Sequence, residues 1–178
     1  RTIQAALLTS IYRQPIATVR YLVLRDGAER QRLATIVLPL WEQRLIALGQ
    51  TWLVFHGCPD WLGSDLGLAG YRRDAMVISY QLPLSGGPRL SHAQEGVRRA
   101  TPQDGASVLA LDHAAFEPLW RLNADLVAAA PKNSAYYLVA ERESQLVGYL
   151  MAERWGERAY LSRLGVLPER QGQGIGAQ

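Results

Sequence analysis

Leu164-Gly165-Val166-Leu167-Pro168-Glu169-Arg170-Gln171-Gly172-Gln173-Gly174-Ile175-Gly176-Ala177-Gln178 ends the sequence, with a glycine at every second position from 172 to 176. The run Ala159 to Val166 before it reads as a strand, and an apolar, helix-compatible stretch starts at Ile175. A strand, a tight turn, spaced glycines and a helix start form an anion site. Glycines let amides approach oxygens closely, and a helix N-terminus adds about half a positive charge. The ligand expected there is a phosphate or diphosphate.

Three phosphate ligands compete for this loop. A P-loop needs Gly-Lys-Ser/Thr after the glycines, and the chain has none. A dinucleotide fingerprint matches Gly172, Gly174 and Ala177. That fingerprint follows its strand almost directly, whereas Leu167 to Gln171 intervene here. Its acidic partner about 20 positions downstream would also fall outside the sequence.

The third reading fits best. Leu164 to Gly176 resembles the acetyl-CoA signature of the GNAT superfamily of N-acetyltransferases, Q/R-x-x-G-x-G/A after a strand and a V-x-P-like turn. Gln171, Gly174 and Gly176 fill its fixed positions.

Composition narrows the alternatives. Hydrophobic content of 48% and charged content of 20% are ordinary for a globular protein of one domain or two small ones. No apolar run approaches the roughly 20 residues of a membrane span, and no secretory signal begins the chain. A single cysteine, Cys58, rules out an internal disulfide framework or cysteine zinc site. Cytoplasmic localisation is the simple expectation. Basic and acidic groups number ten and seven in residues 1–95 and nine each in 96–178, too even for a nucleic-acid footprint. The first residue is Arg rather than Met, and the last falls where a helix begins, as expected of a piece of a longer chain.

Pro83 to Gly96 is dense in Pro, Gly and Ser and reads as a linker. After it comes a strand at Val97–Ala100, then a helix capped by Thr101 with Pro102 at its first position, ending near Ala115. A second helix, opened by Pro118, carries Leu119, Trp120, Leu122, Leu126 and Val127 up to a turn at Pro131–Asn133. Strands follow at Tyr136–Ala140, Leu146–Ala152 and Ala159–Val166. This order is similar to the first half of a GNAT fold.

Before the linker, Ile16–Leu24 reads as a strand and Glu29–Leu48 as a helix interrupted by Pro39. Trp52–Phe55 is a further strand, Asp60 caps a short helix ending at Ala69-Gly70, and Ala75–Leu82 is another strand. That order resembles the second half of the same fold. The glycine loop expected at Asp26–Leu33 holds one glycine and an extra acidic residue, which disfavours phosphate binding.

The fold class expected is therefore α/β (α+β), with a mixed, mostly antiparallel sheet flanked by helices. Residues 1–82 form a degenerate later half, 83–96 a linker, and 97–178 a first half bearing the acetyl-CoA loop. Two arrangements stay open: a tandem protein holding the end of one domain and the start of the next, or residues 1–82 completing the sheet of 97–178.

The resemblance implies an acetyl-CoA-dependent N-acetyltransferase acting on a small-molecule or peptide amine, with no metal. A non-catalytic acyl-CoA-binding module is the alternative. The resemblance implies that the amides of Gln171, Gly172, Gln173, Gly174, Ile175 and Gly176 hold the diphosphate; Arg170 beside them is placed to meet a phosphate, and a solvated surface arginine explains it equally. The backbone of Leu164 and Val166 would pair with pantetheine, Gly165 would permit a bulge, and the amide of Val166 or Gly165 would polarise the thioester carbonyl. The strand position where many members carry a Glu base reads Ala159-Tyr160-Leu161-Ser162-Arg163-Leu164, without a carboxylate. Tyr160 or Ser162 would then orient a relay water. Phe116 and Trp120 would wall the acceptor site, although an amphipathic helix burying its apolar face is the stronger explanation of them. His56, His92 and His113 are scattered, and Cys58 reads as structural. Nucleic acid and membrane are not expected partners, and a homodimer is compatible with the sequence.

Overall fold

The computed structural model describes residues 5–13, 15–25, 32–77, 80–81, 83 and 96–177. The fold is mixed α/β, with helices flanking two sheets, and the chain divides into two compact units, Arg1–Gly87 and Pro88–Gln178.

In the first unit, strand β1 (Ala5–Arg13) pairs antiparallel with β2 (Ile16–Leu24), which pairs in parallel with β3 (Trp52–Phe55). A π-helical turn, Leu33–Val37, runs into helix α1 (Leu38–Ala47). The Leu38 N–H reaches back five residues to the Leu33 carbonyl, just before Pro39, which has no N–H to offer. Helix α2 (Asp60–Leu68) follows. Leu33, Leu38, Leu62 and Leu66 are buried together as the core of this unit.

Three expectations change here. Strand β1 has no counterpart in the sequence reading, because Ala5–Arg13 lacks a clean alternation and its partner lies just past Pro15. Asp60 lies in the first turn of α2 and makes no cap bond; Pro59 holds the cap position. The described part of Ala75–Leu82 forms no strand, and Met76, Val77 and Tyr80 are exposed there. Residues 26–31 of the degenerate loop, 84–95 of the linker, and His92 lie outside the described residues.

In the second unit, β4 (Val97–Arg99), β5 (Tyr136–Arg142), β6 (Gln145–Trp155) and β7 (Arg158–Val166) form one antiparallel sheet in that order. A 3₁₀ turn at Pro102–Asp104 leads into helix α3 (Gly105–Ala115). It starts at Thr101, whose amide and hydroxyl both donate to Asp104 Oδ2 at 2.7 and 2.9 Å.

The single helix expected from Pro118 is two pieces: a 3₁₀ turn, Pro118–Trp120, and helix α4 (Ala124–Asn133). Asn123 is the stronger start, its side chain accepting the Leu126 N–H at 2.8 Å. Pro131 is inside α4 rather than in a turn beyond it, where its missing N–H falls in the last turn. Val108 and Leu111 of α3 and Val127 and Ala130 of α4 bury against Val139, Val147 and Met151 of the sheet. Each fully buried valine contributes about 1.5 kcal/mol or more.

Candidate functional site: the edge of β7 and the glycine loop

The site is built on β7 and the turn that follows it. Among the described residues β7 pairs with β6 only and lies at the edge of its sheet. Its register with β6 slips once: Arg163 faces Met151 while Leu161 faces Ala152, so Ser162 is an extra, bulged residue. The bulge thus sits three residues before Gly165, where the sequence analysis placed it. At Gly165 the register is regular, opposite Tyr149.

Backbone polarity beyond the bulge follows from one bond. The Leu167 N–H donates to the Val147 carbonyl at 3.0 Å. Backbone groups alternate sides along an antiparallel strand. Gly165 therefore turns its N–H and C=O toward β6, and Leu164 and Val166 turn theirs to the open edge. Of the two amides expected to polarise a thioester, Gly165 is spoken for by the ladder. Its glycine serves packing instead: an ideal Cβ there would lie 2.5 Å from Tyr149 Cε1. The Val166 carbonyl accepts the Gln171 side-chain Nε2 at 3.1 Å, so this side chain binds the end of β7 to the loop.

After a 3₁₀ turn at Pro168–Arg170, Gly172 and Gly174 adopt φ of 74° and 78°. Only glycine reaches this region cheaply. Nothing lies within 4 Å of a Cβ at either position, so backbone conformation, not crowding, requires them. Among the described residues, the amides of Gly172, Gly174, Ile175 and Gly176 donate to no protein acceptor, while the Gln173 amide closes the turn over 171–172. The Ile175 side chain is buried in the core and abuts Gly148, whose ideal Cβ would be 3.2 Å from Ile175 Cγ2. One residue thus anchors the loop while the neighbouring amides stay open, a concave nest for an anion. Ile175–Ala177 is a single 3₁₀ turn, so amides rather than a helix macrodipole supply the positive potential over the described residues. Arg170 Nη2 rests 3.4 Å from Glu143 Oε2, a long and exposed contact, and Gln173 Nε2 bonds the Glu169 carbonyl at 3.3 Å.

The residues expected to order water are not placed alike. Tyr160 is exposed and stacks on Trp155, 6.2 Å between centroids and 17° between planes. The Ser162 hydroxyl lies 2.7 Å from Glu153 Oε1 and 3.1 Å from the Met151 carbonyl. The bulge thereby brings a carboxylate from β6 to a strand that has none of its own.

Phe116 and Trp120 meet an arrangement the sequence reading missed. Asp112 on α3 is fully buried. It accepts Arg163 Nε at 2.9 Å and Nη2 at 2.6 Å, the Leu122 N–H at 2.6 Å, and the Tyr149 hydroxyl. The Tyr149 phenol is pushed up by burial and by this bond to Asp112. Arg163 Nη2 also donates to the Trp120 carbonyl at 2.6 Å, and its guanidinium lies 3.6 Å over the Phe116 ring. The one available signal was a carboxylate on the apolar face of α3, four residues after Val108.

The remaining candidates stay structural. His113 Nε2 lies 2.8 Å from the Leu122 carbonyl, and burial pushes the Cys58 thiol up, away from a reactive thiolate. Among the described residues no group of three or more His, Cys, Asp or Glu could hold a metal ion. No helix among them is long and apolar enough to cross a membrane.

Residues 106–178 match the model of the Acetyltransferase (GNAT) family. That match lies wholly within the second unit. A GCN5-related N-acetyltransferase from Sphaerobacter thermophilus, 17% identical, aligns over 97% of this chain and 59% of its own, with a TM-score of 0.60. It shares the fold. A GNAT-family acetyltransferase from Brucella melitensis, solved with acetyl-CoA, is 32% identical over 46% of this chain and 60% of its own, with a TM-score of 0.38. The chain thus spans about three-fifths of either protein. No curated protein matches the sequence significantly.

Proposed function

We propose that the second unit binds acetyl-CoA and transfers its acetyl group to a primary amine of a small molecule or peptide. The observation that carries this reading is the set of unengaged amides of Gly172, Gly174, Ile175 and Gly176, continuous with the outward-facing backbone of Leu164 and Val166. Those amides hold the diphosphate, with Arg170 beside them. Pantetheine then runs back along the open edge of β7, meeting Val166 first and Leu164 next. The Leu164 N–H is the amide closest to the thioester end and polarises its carbonyl. The amine lone pair attacks that carbonyl carbon, the C–S bond breaks, and the thiolate of CoA leaves. A water at Ser162 and Glu153 takes the proton the amine sheds. Phe116 and Trp120 wall the acceptor.

We infer that the whole chain holds the later half of one GNAT-type domain and the first half of another. The element order of the first unit, with β2 and β3 parallel across α1, supports this. So does the alignment of one GCN5-related protein over nearly the whole chain.

Titration calorimetry with CoA and with NAD, followed by an amine panel assayed for acetyl-CoA-dependent thiol release, tests the proposal. Binding of CoA but not NAD, with thiol release stimulated by an amine, is expected. Binding of NAD alone overturns it. CoA binding without stimulation by any amine supports the non-catalytic reading, which the lack of a carboxylate on β7 favours.

A further inference from the structure

We propose that Arg163 is a positioning residue: clamped on the buried Asp112, it fixes the acceptor wall against the strand that presents the thioester. This rests on the transferase reading above.

Arg163 lies between the bulge at Ser162 and Leu164, so its backbone belongs to the acyl-CoA strand. Its side chain leaves that strand for the Phe116–Leu122 connection. There it bonds the Trp120 carbonyl at 2.6 Å and covers the Phe116 ring at 3.6 Å. Asp112 completes the clamp from α3. One carboxylate oxygen takes the Leu122 N–H at 2.6 Å, and the other takes Arg163 and the Tyr149 hydroxyl. Arg121 Nε bonds the Phe116 carbonyl at 3.0 Å, which closes the connection on itself.

A loop between helices would otherwise set its own distance from the sheet. Here the Phe116 ring and the Trp120 carbonyl are held by the guanidinium, and the Leu122 end by the carboxylate it is clamped on. Desolvating a carboxylate completely is expensive, and such a pair is weak grounds for net stability. Its geometric consequence is definite, because the planar fork permits one relation between α3, β7 and the loop. Fixing reacting groups in this way counts steeply, since small misplacements of bound reactants cost large factors in rate.

The test uses Arg163→Lys in the full chain, which keeps the charge and loses the fork and the stacking. Its companion, Phe116→Leu, leaves the ion pair intact. The acceptor is the amine with the fastest turnover in the panel above. For Arg163→Lys, CoA affinity should stay within about twofold of the parent, while acceptor KM rises about tenfold or more and kcat falls less. Phe116→Leu reports the wall itself; Asp112→Asn, isosteric and leaving both wall residues in place, should raise acceptor KM in the same sense as Arg163→Lys, and its result decides the matter if Arg163→Lys does not fold. An unchanged acceptor KM, or a loss of CoA affinity matching the rise in acceptor KM, overturns the clamp. If the parent itself neither binds CoA nor turns over any amine, the transferase reading fails and the clamp falls with it.

Discussion

Gly165 and Tyr149 face each other across β6 and β7, and the tyrosine ring fills the space a side chain at 165 would need. That ring also carries the hydroxyl bonded to Asp112. The glycine thus admits an aromatic into the core, and the aromatic delivers its polar tip to the buried carboxylate. Gly165→Ala should therefore cost about 1–3 kcal/mol through overpacking. Thermal unfolding checks it, and Gly148→Ala, whose closest contact is the looser 3.2 Å to Ile175, should lose less.

The glycine loop can be poisoned without disturbing the fold. Gly176 has an ordinary backbone conformation, and an added Cβ meets only Leu164 and Val166 at 3.7 and 3.8 Å. Gly176→Glu should leave the melting temperature nearly unchanged and abolish CoA binding, because a carboxylate then occupies the amides' field. Retained CoA affinity by calorimetry would remove the diphosphate from this loop. Gly174→Ala is a poorer probe, since φ of 78° strains any side chain there.

Glu153 and Ser162 are expected to act on the amine, not on CoA. Glu153→Gln should slow turnover by roughly 10²-fold, with unaltered CoA affinity. The deficit should shrink as pH rises and the amine deprotonates in solution. A rate profile against pH for parent and variant checks this.

Tyr137 contains a buried hydroxyl with no partner among the described residues, and burial, with the nearby Asp104 charge, pushes it up to about 12. Tyr137→Phe should stabilise by about 1 kcal/mol, the penalty of an unpaired polar atom. The sign with pH follows. The folded state favours the neutral phenol, so this contribution is full below the ordinary tyrosine range near 10 and declines as pH rises toward 12. Denaturant titrations should show that alkaline decline in the parent and less of it in the variant.

Asp104 titrates at the other end. The Arg98 guanidinium, at 2.7 and 2.8 Å, holds its carboxyl well below the usual range, and the Thr101 amide and hydroxyl add to this. Stability from Asp104 is therefore present above the usual carboxylate range and lost as pH falls through and below it. Asp104→Asn should melt lower than the parent at neutral pH, and the gap should narrow in acid.

Much of the second unit was legible along the chain. Thr101 and Pro102 mark a helix start because capping needs only neighbouring atoms. Gly172 and Gly174 mark positive φ because that preference is local. The hairpins of β5, β6 and β7 follow from alternation and turns. The break between the 3₁₀ turn and α4 was not legible, because Pro118 and Asn123 are both valid starts and only packing selects between them.

What tertiary structure alone decided is which distant groups meet. Asp112 and Arg163 are 51 residues apart, and Ser162 meets Glu153 only because the bulge adds one residue to β7. No local preference encodes such a meeting. A carboxylate on an apolar helix face announces that a partner must exist, since burying it alone is prohibitively costly. The sheet register and the packing of α3 on it then determine that the partner is Arg163.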